Sequence, residues 1–78
     1  MQEVIVLIHG ERMRLQAVRA FHWKTPKTDR YGVGFMAADR EKWVRLSCPD
    51  GQEAAKTLAQ KIRDGTITDL TAYPAEWN

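Results

Sequence analysis

Cysteine is nearly absent from this sequence, which contains Cys48 alone and therefore cannot form a disulfide within the chain. Small secreted domains that lack a sizeable core usually carry several disulfides. The first residues, MQEVIVLIHGERMR, place a glutamate ahead of only five consecutive apolar residues, which is too short for a membrane span and unlike a signal peptide. We therefore expect a reduced, cytoplasmic protein whose chain begins with a strand.

The residues from which catalytic and metal sites are built are also scarce. His9, His22 and Cys48 are the only residues of their types, and their spacing does not match a zinc site. The sequence has no nucleophile elbow and no glycine-rich phosphate loop, because its short GVG motif lies inside a predicted strand. We predict no enzymatic activity, no cofactor, no metal and no small-molecule substrate, with Cys48 as a buried core thiol.

The length of 78 residues suits one hydrophobic core, so residues 1–78 are expected to form a single domain. The formal net charge is only +2, but the charge is unevenly distributed. Residues 1–45 hold nine Lys/Arg against five Asp/Glu, whereas residues 46–78 hold three against five. The first half is therefore basic and the second half acidic.

The first two predicted strands form a hairpin. A β-branched and leucine run ends at His9, and a type II′ turn at Gly10 and Glu11 would place His9 opposite Arg12. Val6 would then face Leu15, with the apolar alternate residues of both strands on the core side. The list of these core-side residues is Val4, Val6, Ile8, Met13, Leu15 and Ala17. The reverse side carries a mixture of apolar and basic residues.

The second strand loses its clean alternation after Ala17. Strict alternation places Arg19 in the core with Phe21 and Trp23, whereas a β-bulge near Ala17 and Val18 moves both aromatic residues to the opposite face. The sequence leaves both alternatives open.

Two further strands follow an exposed polar loop, TPKTDR. In YGVGFMAA the two glycines leave one face flat, where a bulky neighbour could approach. In WVRLSC the inward positions are Val44, Leu46 and Cys48, which leaves Trp43 and Arg45 outward.

A helix is predicted to begin at Asp50, which with Glu53 has the spacing of a capping box. Its apolar stripe includes Leu58 and Ile62, and Gly65 suits the position after its end. The tail is predicted to add a short strand that ends at Tyr73. The expected fold is a single α+β domain with an antiparallel β-meander of four to five strands in the order β-β-β-β-α-β, and one α-helix packed on one face.

A single helix covers one face of a sheet, and the other face remains available to a partner. We expect this open face and the adjoining basic loop to dock onto another protein or onto a second copy of the chain, because tryptophan and arginine often carry binding energy. The predicted partner-binding residues are Ile5, Leu7, Arg12, Arg14, Lys24, Lys27, Arg30, Trp43 and Arg45. Alternatively, the tail with Trp77 folds back over this face.

A nucleic-acid-binding module is the alternative function, because aromatic residues are interleaved with basic residues on the predicted strands. The segment WVRLSCPDGQEAAKTLAQKI is similar in layout to the last strand and helix of plant AP2-type and integrase arm-binding domains, although their strand motifs are not matched here. In size, the chain is typical of accessory and inhibitor proteins of bacteria and mobile elements. The favoured expectation is a small binding or regulatory protein.

Overall fold

The computed structural model describes residues 2–78 and has the predicted α+β element order. In chain order the elements are β1 (Gln2–Ile8), β2 (Glu11–Lys24), β3 (Tyr31–Ala37), β4 (Lys42–Ser47), α1 (Gln52–Arg63) and β5 (Ala75–Trp77). Consecutive strands from β1 to β4 pair antiparallel, which confirms the meander. The predicted fold class and the single principal helix are therefore confirmed.

The sheet closes into a barrel, which the sequence did not reveal. Strand β5 pairs antiparallel with β4 and contacts β1 in parallel through Ile8 and Ala75. Closure removes the free edges that a five-stranded open sheet would expose. The open face expected from the sequence is thus the outer surface of the barrel, and the inner surface together with α1 forms the core.

The first hairpin turns one residue earlier than predicted. His9 and Gly10, with φ of 52° and 78°, form its two-residue loop, and Ile8 pairs with Glu11. Positive φ at both central positions defines a type I′ turn, whereas the sequence predicted a type II′ turn at Gly10 and Glu11. Val6 consequently faces Met13 instead of Leu15. The register error is two residues, so the predicted inward and outward faces are retained.

A β-bulge in β2 resolves the two alternatives for its second half. The pairing with β3 shifts between Val18 and Phe21, and Arg19 adopts a positive φ of 58° and is exposed. Ala20 takes the next inward position and is buried. Phe21 and Trp23 therefore point outward, as the bulge alternative predicts.

Helix α1 begins two residues later than predicted, and its first turn has no capping box. Gly51 is the N-cap, and no side chain among residues 2–78 caps the first turn, so the expected role of Asp50 is wrong. The C-terminal prediction is confirmed, because Gly65 has a φ of 74° and its amide bonds to Ile62 O. Together with the bond from Thr66 N to Lys61 O, this forms a Schellman motif.

The tail contains its strand after Pro74 instead of before Tyr73, so the predicted position of β5 is wrong. Residues 66–74 follow an irregular path along the edge of β1, where Ile5 bonds to Thr68 O and to the amide of Leu70. The Asp69 carboxylate accepts bonds from the hydroxyl and amide of Thr71, which lower its pKa and bend the chain away from a regular strand.

One buried cluster joins the inward strand residues to the apolar side of α1. Ala55, Leu58, Ala59 and Ile62 are the buried residues of the helix, as the spacing of its apolar residues predicts. Cys48 is also buried and unpaired. No helix within residues 2–78 is long and apolar enough to cross a membrane.

We expect Leu58→Ala and Val6→Ala each to reduce the free energy of unfolding by about 1 to 4 kcal/mol, because both side chains are buried in this cluster. Gln60→Ala, on the exposed side of the same helix, is the control and should change stability little. Denaturant unfolding measures all three. An unchanged midpoint for Leu58→Ala would contradict the observed orientation of the helix.

Candidate binding groove

Two glycines of β3 allow aromatic side chains of β2 to lie across the outer surface of the sheet. Trp23 pairs with Gly32, and Phe21 pairs with Gly34. The indole of Trp23 occupies the space where a Cβ of Gly32 would lie, and a Cβ at Gly34 would be 2.8 Å from Phe21 Cζ. The flat glycine face predicted from the sequence therefore receives bulky neighbours, and these neighbours are Phe21 and Trp23.

The aromatic side chains meet the outward residues of β4. The Phe21 and Trp43 rings form an edge-to-face pair, with centroids 5.7 Å apart and planes inclined by 70°. The Arg45 guanidinium lies 4.6 Å from the Trp23 ring centroid, which is cation–π geometry. Trp23 Nε1 is buried and has no hydrogen-bond partner within residues 2–78. These four side chains are hereafter called the aromatic face.

The aromatic face and the start of the loop after β2 enclose a groove of about 440 Å³. Its lining residues are Phe21, Trp23, Lys24, Thr25, Pro26, Gly34, Trp43, Val44, Arg45 and Asn78. The lining residues include two basic ones, Lys24 and Arg45, and no aspartate or glutamate, and the ammonium of Lys24 lies 3.7 Å from Asp29 outside the lining. The groove thus combines ring surfaces with positive charge.

The polar loop that forms one wall of the groove is held in place by its own hydrogen bonds. The Thr25 amide bonds to Arg30 O at 2.9 Å, and the hydroxyls of Thr25 and Thr28 lie 2.6 Å apart. Lys24 lies 3.7 Å from the Asp29 carboxylate and also faces the Tyr31 ring. The predicted site residues Lys27 and Arg30 are exposed on this loop but are not in the groove lining.

The predicted residues on the reverse side of the first hairpin form a separate surface. Leu7 is 37% exposed, Arg12 and Arg14 are exposed, and Ile5 is half-buried. None of the four lines the groove. Arg14 lies 3.7 Å from Glu3, and both side chains are well exposed, so this ion pair contributes little stability. We call Ile5, Leu7, Arg12 and Arg14 the hairpin face.

The predicted partner-binding set therefore contains some of the groove residues, together with residues that lie on other parts of the surface. Lys24, Trp43 and Arg45 are lining residues, whereas the predicted set omitted Phe21 and Trp23. The signal for both was present in the two glycines of β3, but using it required the position of the bulge.

Residues 2–78 contain no cluster of three or more histidine, cysteine, aspartate or glutamate side chains that could hold a metal ion. The groove supplies rings, cations and few other polar groups, a composition suited to binding a ligand. Comparisons with protein-family models, with curated proteins and with solved structures found no match for this chain.

Proposed function

We propose that this chain is a cytoplasmic, non-catalytic binding protein that docks onto another macromolecule through the groove beside the aromatic face. The observation that carries the proposal is the composition of the groove lining, in which aromatic rings lie next to Lys24 and Arg45 without an acidic side chain. Tryptophan, other aromatic residues and arginine are the side chains that most often dominate binding energy.

Exposure of the aromatic face supports the same proposal. Phe21 is 45% exposed, although phenylalanine is one of the residue types most often buried in folded proteins. Phe21 and Leu7 are the two exposed large apolar side chains among residues 2–78, and only Phe21 belongs to a cluster of aromatic residues. Exposed apolar clusters are uncommon on monomers and are enriched at binding sites.

The proposal can be tested with immobilised protein and a lysate of the native host. Wild-type protein should retain a partner that Trp43→Ala loses and Leu7→Ala keeps, because Trp43 lines the groove and Leu7 lies on the hairpin face. Leu7→Ala is a matched control for the loss of an exposed apolar side chain. Equal retention by all three proteins would contradict the proposal.

The hairpin face carries a second candidate, in which another protein or a second copy of the chain binds there. The supporting observation is that Leu7 is 37% exposed and pairs with Arg12, with Arg14 beside it. An apolar centre flanked by arginines has the composition of an interface centre and rim.

Charge reversal at Arg12 and Arg14 tests this second candidate. The double variant Arg12→Glu/Arg14→Glu should dissociate a homodimer or release a protein partner, while its thermal midpoint stays within roughly 8 °C, the shift caused by about 1 kcal/mol in a domain this small. Sedimentation and lysate retention measure the two outcomes. Unchanged association would leave the groove as the remaining candidate.

A further inference from the structure

We propose that the groove binds single-stranded nucleic acid, with bases against the rings and phosphates against the cations. This inference rests on the proposed function, because it names the partner class of the same site. Phe21 and Trp43 offer aromatic surface at the groove, where unpaired bases can stack irrespective of their sequence.

Trp23 has a different role from the other two rings. One side of its indole lies against Gly32, and Arg45 lies over the ring, with its guanidinium carbon 4.6 Å from the centroid. This contact restricts Arg45 to the groove, where its guanidinium can meet a phosphate or a base. Trp23 is therefore a positioning residue for Arg45, and Phe21 and Trp43 are the stacking residues.

The segment of the chain that carries the groove is basic. Residues 19–48, which form the second half of β2, β3, β4 and their loops, hold seven Lys/Arg against three Asp/Glu. This surplus of four positive charges exceeds the net charge of the whole chain, which is +2. Of these seven residues, Lys24 and Arg45 line the groove, and they are the positions at which phosphates of a nucleic acid could be met there.

Two further cations near the end of the chain lie on the other side of β4 and do not border the groove. The side chains of Arg40 and Lys42 lie over the Trp77 ring, with the Lys42 nitrogen 5.5 Å from the ring centroid. Two acids neighbour the groove cations: Asp29 lies 3.7 Å from Lys24, and Glu76 pairs with Arg45 in the β4 and β5 register without forming an ion pair within 4.0 Å. Glu76 therefore opposes a phosphate near Arg45 and offers a way to raise affinity.

A single strand fits these features better than a duplex or a protein. In a duplex the faces of the bases are covered by the neighbouring stacked base pairs, so rings such as Phe21 and Trp43 cannot stack on them without disrupting the duplex stack. A protein surface seldom alternates flat rings with negative charges at short intervals, whereas every nucleotide of a single strand carries one of each.

The test is a fluorescence-anisotropy titration of the intact protein with labelled oligothymidylate, oligoadenylate and a duplex, at about 50 mM and about 200 mM salt. Both single strands should bind more tightly than the duplex. Contacts with two to four phosphates predict a slope of log affinity against log salt of roughly −1.4 to −2.8, at about 0.7 for each phosphate.

Three exposed or half-exposed residues supply matched variants that leave the core intact. Arg45→Gln should reduce the steepness of the salt slope by about 0.7, and Arg12→Gln, with the same charge change on the hairpin face, should leave it unchanged. Glu76→Gln should raise the affinity by roughly 2- to 5-fold, as expected for one repulsive charge near the surface.

Failure of this inference is distinguishable from failure of the proposed function. Absence of oligonucleotide binding at low salt, tighter binding of the duplex, or equal salt slopes for Arg45→Gln and Arg12→Gln would overturn the single-strand assignment. The lysate experiment is then repeated after nuclease treatment. If the wild type still retains a partner that Trp43→Ala loses, the groove is a protein-binding site. If Trp43→Ala loses nothing, the proposed function fails as well.

Discussion

Gly32→Val should reduce the free energy of unfolding by about 4 kcal/mol or more, which approaches the total stability of a domain of this size. A Cβ at Gly32 would collide with the Trp23 indole and with the backbone carbonyl oxygen of Leu46. The carbonyl belongs to β4, so the collision is relieved only by separating β3 from β4. Valine favours strands intrinsically, so a loss of strand propensity cannot produce this effect.

Gly34→Val is the matched control, on the same strand and the same outer side. The three heavy atoms nearest to a Cβ there would all belong to the Phe21 ring, which is 45% exposed and can move aside. We expect a cost of about 1 to 2 kcal/mol. Chemical denaturation of both variants checks the comparison, and similar costs for the two would contradict the described contact between Gly32 and β4.

The double variant Phe21→Ala/Trp43→Ala should weaken binding of single-stranded oligonucleotides by about 30-fold or more. Base stacking on an aromatic side chain contributes about 1 to 3 kcal/mol for each base, so the loss of two rings removes roughly 2 to 6 kcal/mol. Both rings lie on the outer surface, and their removal should cost the fold only about 1 to 3 kcal/mol, including their edge-to-face contact.

Leu7→Ala is the control for this double variant, because it removes an exposed apolar side chain from the hairpin face. Its oligonucleotide affinity should equal that of the wild type. Anisotropy titrations give the affinities, and circular dichroism establishes that each variant is folded. Wild-type affinity in the double variant would rule out stacking on the aromatic face.

The order of the elements and the inward face of each strand could be predicted because both depend on local patterns. Alternation in β1 and β4 identifies buried residues such as Val4, Val6 and Leu46 without knowledge of pairing. The error in the hairpin turn changed the register by two residues, an even number, and for that reason left the predicted faces intact.

Barrel closure could not be predicted because it depends on a contact between distant segments. The three residues of β5 carry little strand signal, and their pairing with β4 and β1 is a tertiary contact. The polar and β-branched stretch before Pro74 has the stronger propensity, yet the Asp69 and Thr71 hydrogen bonds divert it. Local propensity and the observed strand therefore differ at this point.

The groove was only partly predictable for the same reason. Trp43 and Arg45 could be placed outward from the alternation of β4 alone. The outward placement of Phe21 and Trp23 depends on the bulge at Arg19, where a non-glycine residue with positive φ gives no clear sequence signal. The sequence prediction put Ile5 and Leu7 in one site with Trp43 because it assumed an open sheet with a single free face. The sheet closes into a barrel, and the hairpin face does not line the groove.

A titration of isotopically labelled protein with oligothymidylate, followed by the indole N–H signals of its three tryptophans, tests the central claim most directly. The signals of Trp23 and Trp43 should shift as oligonucleotide is added, because both side chains line the groove, while the signal of Trp77, which is not in the lining, should shift much less. Backbone amides of Leu7 and Arg12 should remain unchanged. Shifts concentrated at the hairpin face, or no shift at Trp23 and Trp43 at saturating oligonucleotide, would contradict the claim that the aromatic face binds single-stranded nucleic acid.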